Sequence, residues 1–203
     1  MSTNDTARLL SAGRDLGTRL GRLGLLALGE VGVANTTVAA NLACALLDAD
    51  PQAMVGLGAG ADTPMLDRKR AVVANALRRA RAVHGAALGD TLVALAALGG
   101  PEFAVLAGVV LGAAAAGAVV VLDGLATSVA ALLAVRSEPA TASCLVAGQR
   151  SRERGHEPVL TQLGCEPLLD LRIRAGEGVG ACLAATVLRQ GLSIRTATAR
   201  VNY

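Results

Sequence analysis

A chain of 203 residues with only two aromatic side chains, Phe103 and Tyr203, is restricted in how it can fill an interior. Aromatic rings ordinarily supply the largest single pieces of buried area. Here Ala, Val, Leu and Gly must do so, because 53% of the residues are apolar and almost none of them is aromatic. Small side chains let backbones approach closely, so the composition favours helices packed tightly onto a sheet. The length fits a single domain over residues 1–203, with residues 1–22 as a leading helix. The lack of aromatics also removes the stacking platforms that single-stranded nucleic acids use. The net charge of +3 comes without a polybasic tract, which further excludes nucleic acid as a partner.

From Phe103 to Leu122 no residue is charged, a run about as long as a membrane-spanning helix. It is dominated by Ala, Gly and Val, is closed by Glu102 and Asp123, and is divided by Gly112 and Gly117. It reads as a buried helix to about Gly117 followed by a buried strand, so no membrane partner is expected. The polar start, Met-Ser-Thr-Asn-Asp, lacks the basic-then-apolar order of a signal peptide. Cys44, Cys144, Cys165 and Cys182 form no C-x-x-C pair, and His84 and His156 stand apart. Neither a disulfide framework nor a metal site is expected, and the thiols read as reduced and mostly buried in a cytoplasmic protein.

Along the chain a polar, Arg-containing helix is predicted at residues 6–22. A continuous apolar strand follows at 23–28, of the kind covered on both faces. A turn at 29–37 then leads into a helix ending near Leu47. A second strand is predicted at 53–57, with a glycine-rich turn at Gly56, Gly58 and Gly60 and a helix carrying Lys69 near its start. Further strands are predicted at 118–122, 143–147 and 168–174, the last feeding Gly176-Glu177-Gly178-Val179-Gly180 and a helix at 181–188. Repetition of strand, glycine-bearing turn and helix predicts an α/β fold with a Rossmann-like, largely parallel sheet flanked by helices.

Ligands of such sheets bind beyond the carboxyl ends of the strands. The turns after Leu28, Leu122 and Arg174 therefore share one rim, and each sets a carboxylate beside glycine: Glu30, Asp123 and Glu177. Singly, each is equally a turn or helix-cap residue, and neither a P-loop lysine nor a full G-x-G-x-x-G is present. Together they favour a phosphate-bearing ligand cradled by backbone N–H groups.

Longer strings carry a resemblance. Gly29-Glu30-Val31-Gly32-Val33-Ala34-Asn35-Thr36-Thr37 resembles the segment G-E-M-G-I-G-N-T-T of the nicotinate-nucleotide:dimethylbenzimidazole phosphoribosyltransferase family. Leu98-Gly99-Gly100-Pro101-Glu102, Leu111-Gly112-Ala113-Ala114 and Val121-Leu122-Asp123-Gly124 are similar to its central stretch. Glu166-Pro167-Leu168-Leu169-Asp170-Leu171 and Arg174-Ala175-Gly176-Glu177-Gly178-Val179-Gly180-Ala181 resemble its catalytic loop.

The resemblance implies an enzyme that moves a phosphoribosyl group from nicotinate mononucleotide to 5,6-dimethylbenzimidazole or a related base, giving α-ribazole 5′-phosphate and nicotinate for the lower ligand of cobalamin. It implies no metal and no cofactor. It makes Glu177, framed by Gly176 and Gly178, the general base. It gives Glu30, Gly32, Ala34, Asn35 and Thr36 to the 5′-phosphate, with Lys69 as charge partner, and Asp123 to the ribose or base pocket. Family members are homodimers, so a second copy is an expected partner. The chain matches from deep inside the family pattern, so a separate N-terminal subunit is the other. Three departures stand out: Ala34 for a usual glycine, Gly148-Gln149 for a usual Ser-His, and an unmatched tail at 199–203. The alternative reading is a truncated, non-catalytic relative that acts as a nucleotide-binding or partner subunit.

Overall fold

A computed structural model describes residues 1–58, 63–173 and 175–198. Three short strands, β1 (Leu25–Ala27), β2 (Val119–Leu122) and β3 (Leu145–Ala147), form a wholly parallel sheet in the order β1-β2-β3. Leu25 lies opposite Val119, and Val120 opposite Leu145. The central strand is the apolar run Val119-Val120-Val121-Leu122, three of its residues β-branched and its last three fully buried. Such a run is what a parallel strand covered on both faces requires.

Nine α-helices are formed by the described residues. Helix α1 (Thr3–Gly21) begins where the Ser2 hydroxyl accepts from the Asp5 N–H. It lies along α6 (Pro101–Ala115), whose long apolar run is buried nearly all round. Helices α2 (Asn35–Leu47) and α7 (Leu125–Ser137) complete the main core, with α4 (Thr63–His84) and α5 (Thr91–Leu98) outside α2. Short helices α3 (Pro51–Met54) and α8 (His156–Leu163) fill between them. On the other side of the sheet α9 (Val179–Ala197) covers the strands, setting Ala181 and Ala184 against Val121. Alternation along β2 therefore splits its side chains, with Val120 and Leu122 in the large core and Val121 in the small one.

Two expected strands do not form. Residues 53–57 do not pair: Asp50 accepts from the Gln52 N–H, Pro51 presets the first turn, and the segment starts as α3. Residues 168–173 make one isolated bridge, Gln149 to Leu169, and then turn away at Arg172, which is left-handed at φ 54°. Gly60, Arg174 and the tail at 199–203 lie outside the described residues. The run at 103–122 is α6 followed by β2, and no described helix is long and apolar enough to cross a membrane. All four cysteines are free thiols, but only Cys44 is buried, while Cys182 is exposed. The expectation of mostly buried thiols therefore holds for one of them.

Candidate functional site

The carboxyl ends of all three strands open onto one cleft of about 780 Å³. Its walls come from the loop after β1, the first turn of α2, Gly56–Gly58, the start of α4, residues 123–127 after β2, Gln149 and residues 151–154 after β3, and the loop before α9. Of the residues singled out from sequence, Glu30, Gly32, Ala34, Asn35, Thr36, Lys69, Asp123, Gly176 and Glu177 line it. Gly178 sits just beneath, with its N–H directed at Asp123.

Glu177 owes its position to an unusual backbone. Gly176, Glu177 and Gly178 all have positive φ (66°, 59° and 85°), and a left-handed glutamate between two glycines is a strained residue. The turn leaves the Glu177 side chain exposed at the cleft. It is pressed against the loop after β1: a Cβ added to Gly29 would meet Gly178 Cα at 2.7 Å and the Glu177 carbonyl carbon at 2.9 Å. Glycine at 29 thus sets how deeply the turn seats.

Asp123 is almost wholly buried, and its carboxylate is taken up by the protein. Oδ1 accepts from the N–H groups of Gly180 (2.8 Å) and Ala181 (3.3 Å) and from Gln149 Nε2 (3.2 Å), and Oδ2 accepts from the Gly178 N–H (3.3 Å). It therefore caps α9, a helix far away in sequence, and its negative charge suits that helix N-terminus.

Glu30 closes its own loop, accepting from the Gly32 N–H (2.9 Å) and from the Asn35 side-chain amide. Burial pushes its carboxyl above the ordinary range, the Gly32 N–H opposes this, and the fields of Glu102 and Asp123 add to the rise. Ala34 caps α2 in the left-handed region (φ 63°), a conformation in which its methyl is unfavourable and glycine is at ease.

Lys69 reaches in from α4 and donates to Thr36 Oγ1 (3.0 Å) and the Gly56 carbonyl (3.3 Å). Glu153, which the sequence reading did not single out, stands beside it. Its carboxyl is pushed up by burial and pulled back by the Lys69 ammonium and the Gly58 N–H. A Cβ at Gly56 would fall 2.4 Å from Glu153 Oε2, so glycine there is the local trace of the half-buried carboxylate. Arg152 and Arg154 line the same cleft, so that among the described residues Lys69 and these two arginines face Glu30, Asp123, Glu153 and Glu177. Among the described residues no group of three or more His, Cys, Asp or Glu side chains could hold a metal.

His156 fastens the 151–155 loop from below. Its Nδ1 accepts from the Ser151 N–H (3.1 Å), which leaves Nε2 to donate to Ser128 Oγ (3.1 Å). Burial, with Arg150 adding to it, lowers this imidazole from 6.5 to about 4. Between those values the unfolded chain takes up a proton that the folded chain refuses, so the contribution is intact above about 6.5 and fades as pH falls towards 4. Urea unfolding between about pH 7 and pH 4.5 should therefore show a loss of midpoint that His156→Gln makes shallower. An equal pH slope in both proteins would remove His156 from the account.

A family model described as phosphoribosyltransferase matches residues 1–202. The chain is 44% identical over 201 residues to the nicotinate-nucleotide–dimethylbenzimidazole phosphoribosyltransferase of Pseudomonas aeruginosa, covering 98% of this chain and 56% of that one. It is 47% identical over 191 residues to the enzyme of the same name from Azotobacter vinelandii, covering 93% of this chain and 53% of that one. A crystal structure of CobT from Thermus thermophilus superposes with a TM-score of 0.87 at 42% identity, covering 96% of this chain and 57% of that one. The chain thus spans about half the length of the curated relatives it matches.

Proposed function

Because the chain belongs to the phosphoribosyltransferase family, we propose that its cleft transfers a 5-phosphoribosyl group from nicotinate mononucleotide to 5,6-dimethylbenzimidazole or a related base, a step in cobalamin synthesis. The observation that supports this most is Glu177, an exposed carboxylate held on a strained three-residue turn at the edge of a cleft that also presents Lys69.

In this reading Lys69, with Thr36 and Arg152 or Arg154 around it, takes the 5′-phosphate. The first-turn N–H groups of α2 contribute less than their position suggests. Those of Thr36, Thr37 and Val38 already bond to the Asn35 side chain or the Ala34 carbonyl. Glu30 shapes the loop and adds no donor. At the other pole an imidazole nitrogen of the base attacks the ribose carbon while the bond to the pyridinium nitrogen breaks. Nicotinate leaves with that electron pair and needs no proton. The other imidazole N–H gives its proton to Glu177, and one positioned carboxylate suffices for that. Attack from the face opposite the leaving group turns a β donor into an α product. No cofactor enters this balance, and four free thiols fit a reducing cytoplasmic compartment.

A second polypeptide completing the cleft is part of the same proposal. Beside the Glu177 turn, α9 exposes Val179, Leu183 and Val187 along one stripe, followed by Leu192 and Ile194, and Val31 and Val33 of the loop after β1 are exposed as well. Apolar surface of this extent marks a contact face. Its occupant is a second copy of this chain or a chain equivalent to the remaining length of the relatives. The competing reading, a nucleotide-binding subunit that does not turn over, fits the same stripe. Incubating the chain with nicotinate mononucleotide and dimethylbenzimidazole, alone and with such a second chain, separates the two. Chromatography with mass detection should show nicotinate and α-ribazole phosphate appearing in equal amounts. Binding of the donor without product in either mixture would favour the non-catalytic subunit.

A further inference from the structure

We infer that Gln149 and Asp123 are a positioning pair that holds the Glu177 turn in register. The inference rests on the reading of Glu177 as the proton acceptor for its catalytic consequence, but its structural part stands without that reading. Asp123 directly follows β2, Gln149 lies just beyond β3 and donates to Asp123, and the N–H groups that Asp123 holds belong to the start of α9. One carboxylate thereby joins the ends of two strands to the residue that follows Glu177.

The orientation of Gln149 has a single solution. Its side chain is buried at 3% exposure, with Nε2 on Asp123 Oδ1 and Oε1 with no partner among the described residues. Rotating the amide by half a turn would set its oxygen against the carboxylate. The donor is therefore kept on Asp123 although the acceptor is left without a bond, a costly arrangement that a mere filler of space would not need. The amide is also gripped sterically, since a Cβ at Gly180 would meet Gln149 Cδ at 2.3 Å, and the strand end packs on the same helix, since a Cβ at Gly148 would meet the Leu122 carbonyl at 2.6 Å and Ala181 Cα at 3.2 Å. Strand end, amide and helix start are in direct contact. Among the described residues, four hydrogen bonds reach the Asp123 carboxylate, and Gln149 supplies the only one from a side chain.

Glu177 is strained, so the turn holds its shape only where the surroundings over-determine it. The Val179 N–H closes the turn on the Gly176 carbonyl, and the Gly178 N–H bond to Asp123 is the restraint that ties the turn to the strand ends. Weakening it lets the turn relax and moves the carboxylate, and small misplacements of a reacting group cost orders of magnitude in rate.

Two variants of the full chain separate positioning from packing. Gln149→Met keeps length and bulk and loses the donor. Gln149→Glu keeps the shape more closely still, but faces Asp123 with a second carboxylate. Amide hydrogen exchange over residues 176–182 should quicken about tenfold or more in Gln149→Met, and further in Gln149→Glu. In the phosphoribosyl-transfer assay kcat should fall about 10- to 100-fold in the same order, with KM for nicotinate mononucleotide within about threefold. A space-filling role predicts the reverse ranking, with Gln149→Glu nearest the wild type, and that result would overturn the inference. So would unchanged exchange over 176–182. If the wild-type chain forms no product under any condition, the reading of Glu177 fails by itself, and the exchange experiment still decides whether the pair holds the turn.

Discussion

Glu177→Gln is expected to lower the rate of nicotinate release by about 10²- to 10⁴-fold, the usual contribution of a positioned general base, with the thermal unfolding midpoint unchanged. Both halves of this expectation come from the geometry. The side chain is exposed, and no described residue bonds to its carboxylate, so an amide of the same size forfeits no native contact. The backbone at φ 59° is as awkward for glutamine as for glutamate, so the strain is the same in both proteins. What changes is the ability to accept the proton that the base must lose. Steady-state release followed by chromatography, paired with a melting curve, measures the two quantities on one sample. A variant that turns over near the wild-type rate would end the assignment of Glu177. A variant that melts lower would show that the carboxylate stabilises the turn.

Much of this site could be read from the chain because the relevant signals are local. A carboxylate between glycines, an apolar run before it and a helix after it need no tertiary knowledge. Thus β1, β2 and β3 fall inside the predicted runs, and their three following loops meet at one cleft. The second strand failed on a signal that was present: Asp50-Pro51 is a helix start, and it outweighed the apolar character of residues 53–57. The fifth failed because alternation of side chains says nothing about whether a neighbouring strand is there to pair with. Only Leu169 finds one, and Arg172 breaks the extended path. Asp123 was legible as a carboxylate beside a turn, but its true partners lie 26 to 58 residues away, beyond the reach of any local pattern. Glu153 was hidden for the same reason, since it is packed against Gly56 and charge-paired with Lys69, both far from it in the chain. Ala34 is a third case: only the backbone reveals that its methyl sits at a left-handed helix cap.

The same alanine substitution should have opposite effects at two helical glycines. Helix α1 brings Gly13 and Gly17 against α6, and α6 returns Gly108 and Gly112 against α1. A Cβ at Gly112 would lie 2.0 Å from the Arg14 carbonyl oxygen and 2.6 Å from the Thr18 nitrogen, and one at Gly17 would lie 2.2 Å from the Val109 carbonyl oxygen. These are backbone atoms, so no rotamer change relieves the clash and the helices must separate. Separation opens the contact along α6, whose buried small residues have no longer side chains to fill the gap. Overpacking ordinarily costs about 1–3 kcal/mol, and with backbone on both sides Gly112→Ala is expected at or above about 3 kcal/mol. That is a large share of the roughly 5–15 kcal/mol that holds a typical domain together. Gly191, inside α9, has nothing within 4 Å of the same added carbon. There alanine brings only its better helix propensity, and Gly191→Ala should raise stability by about 0.5–1 kcal/mol. Urea unfolding of the two variants beside the wild type gives both signs in one experiment. If Gly112→Ala is tolerated as well as Gly191→Ala, α1 is free to move away from α6. The close glycine contact would then not be what compensates this core for its lack of aromatic rings.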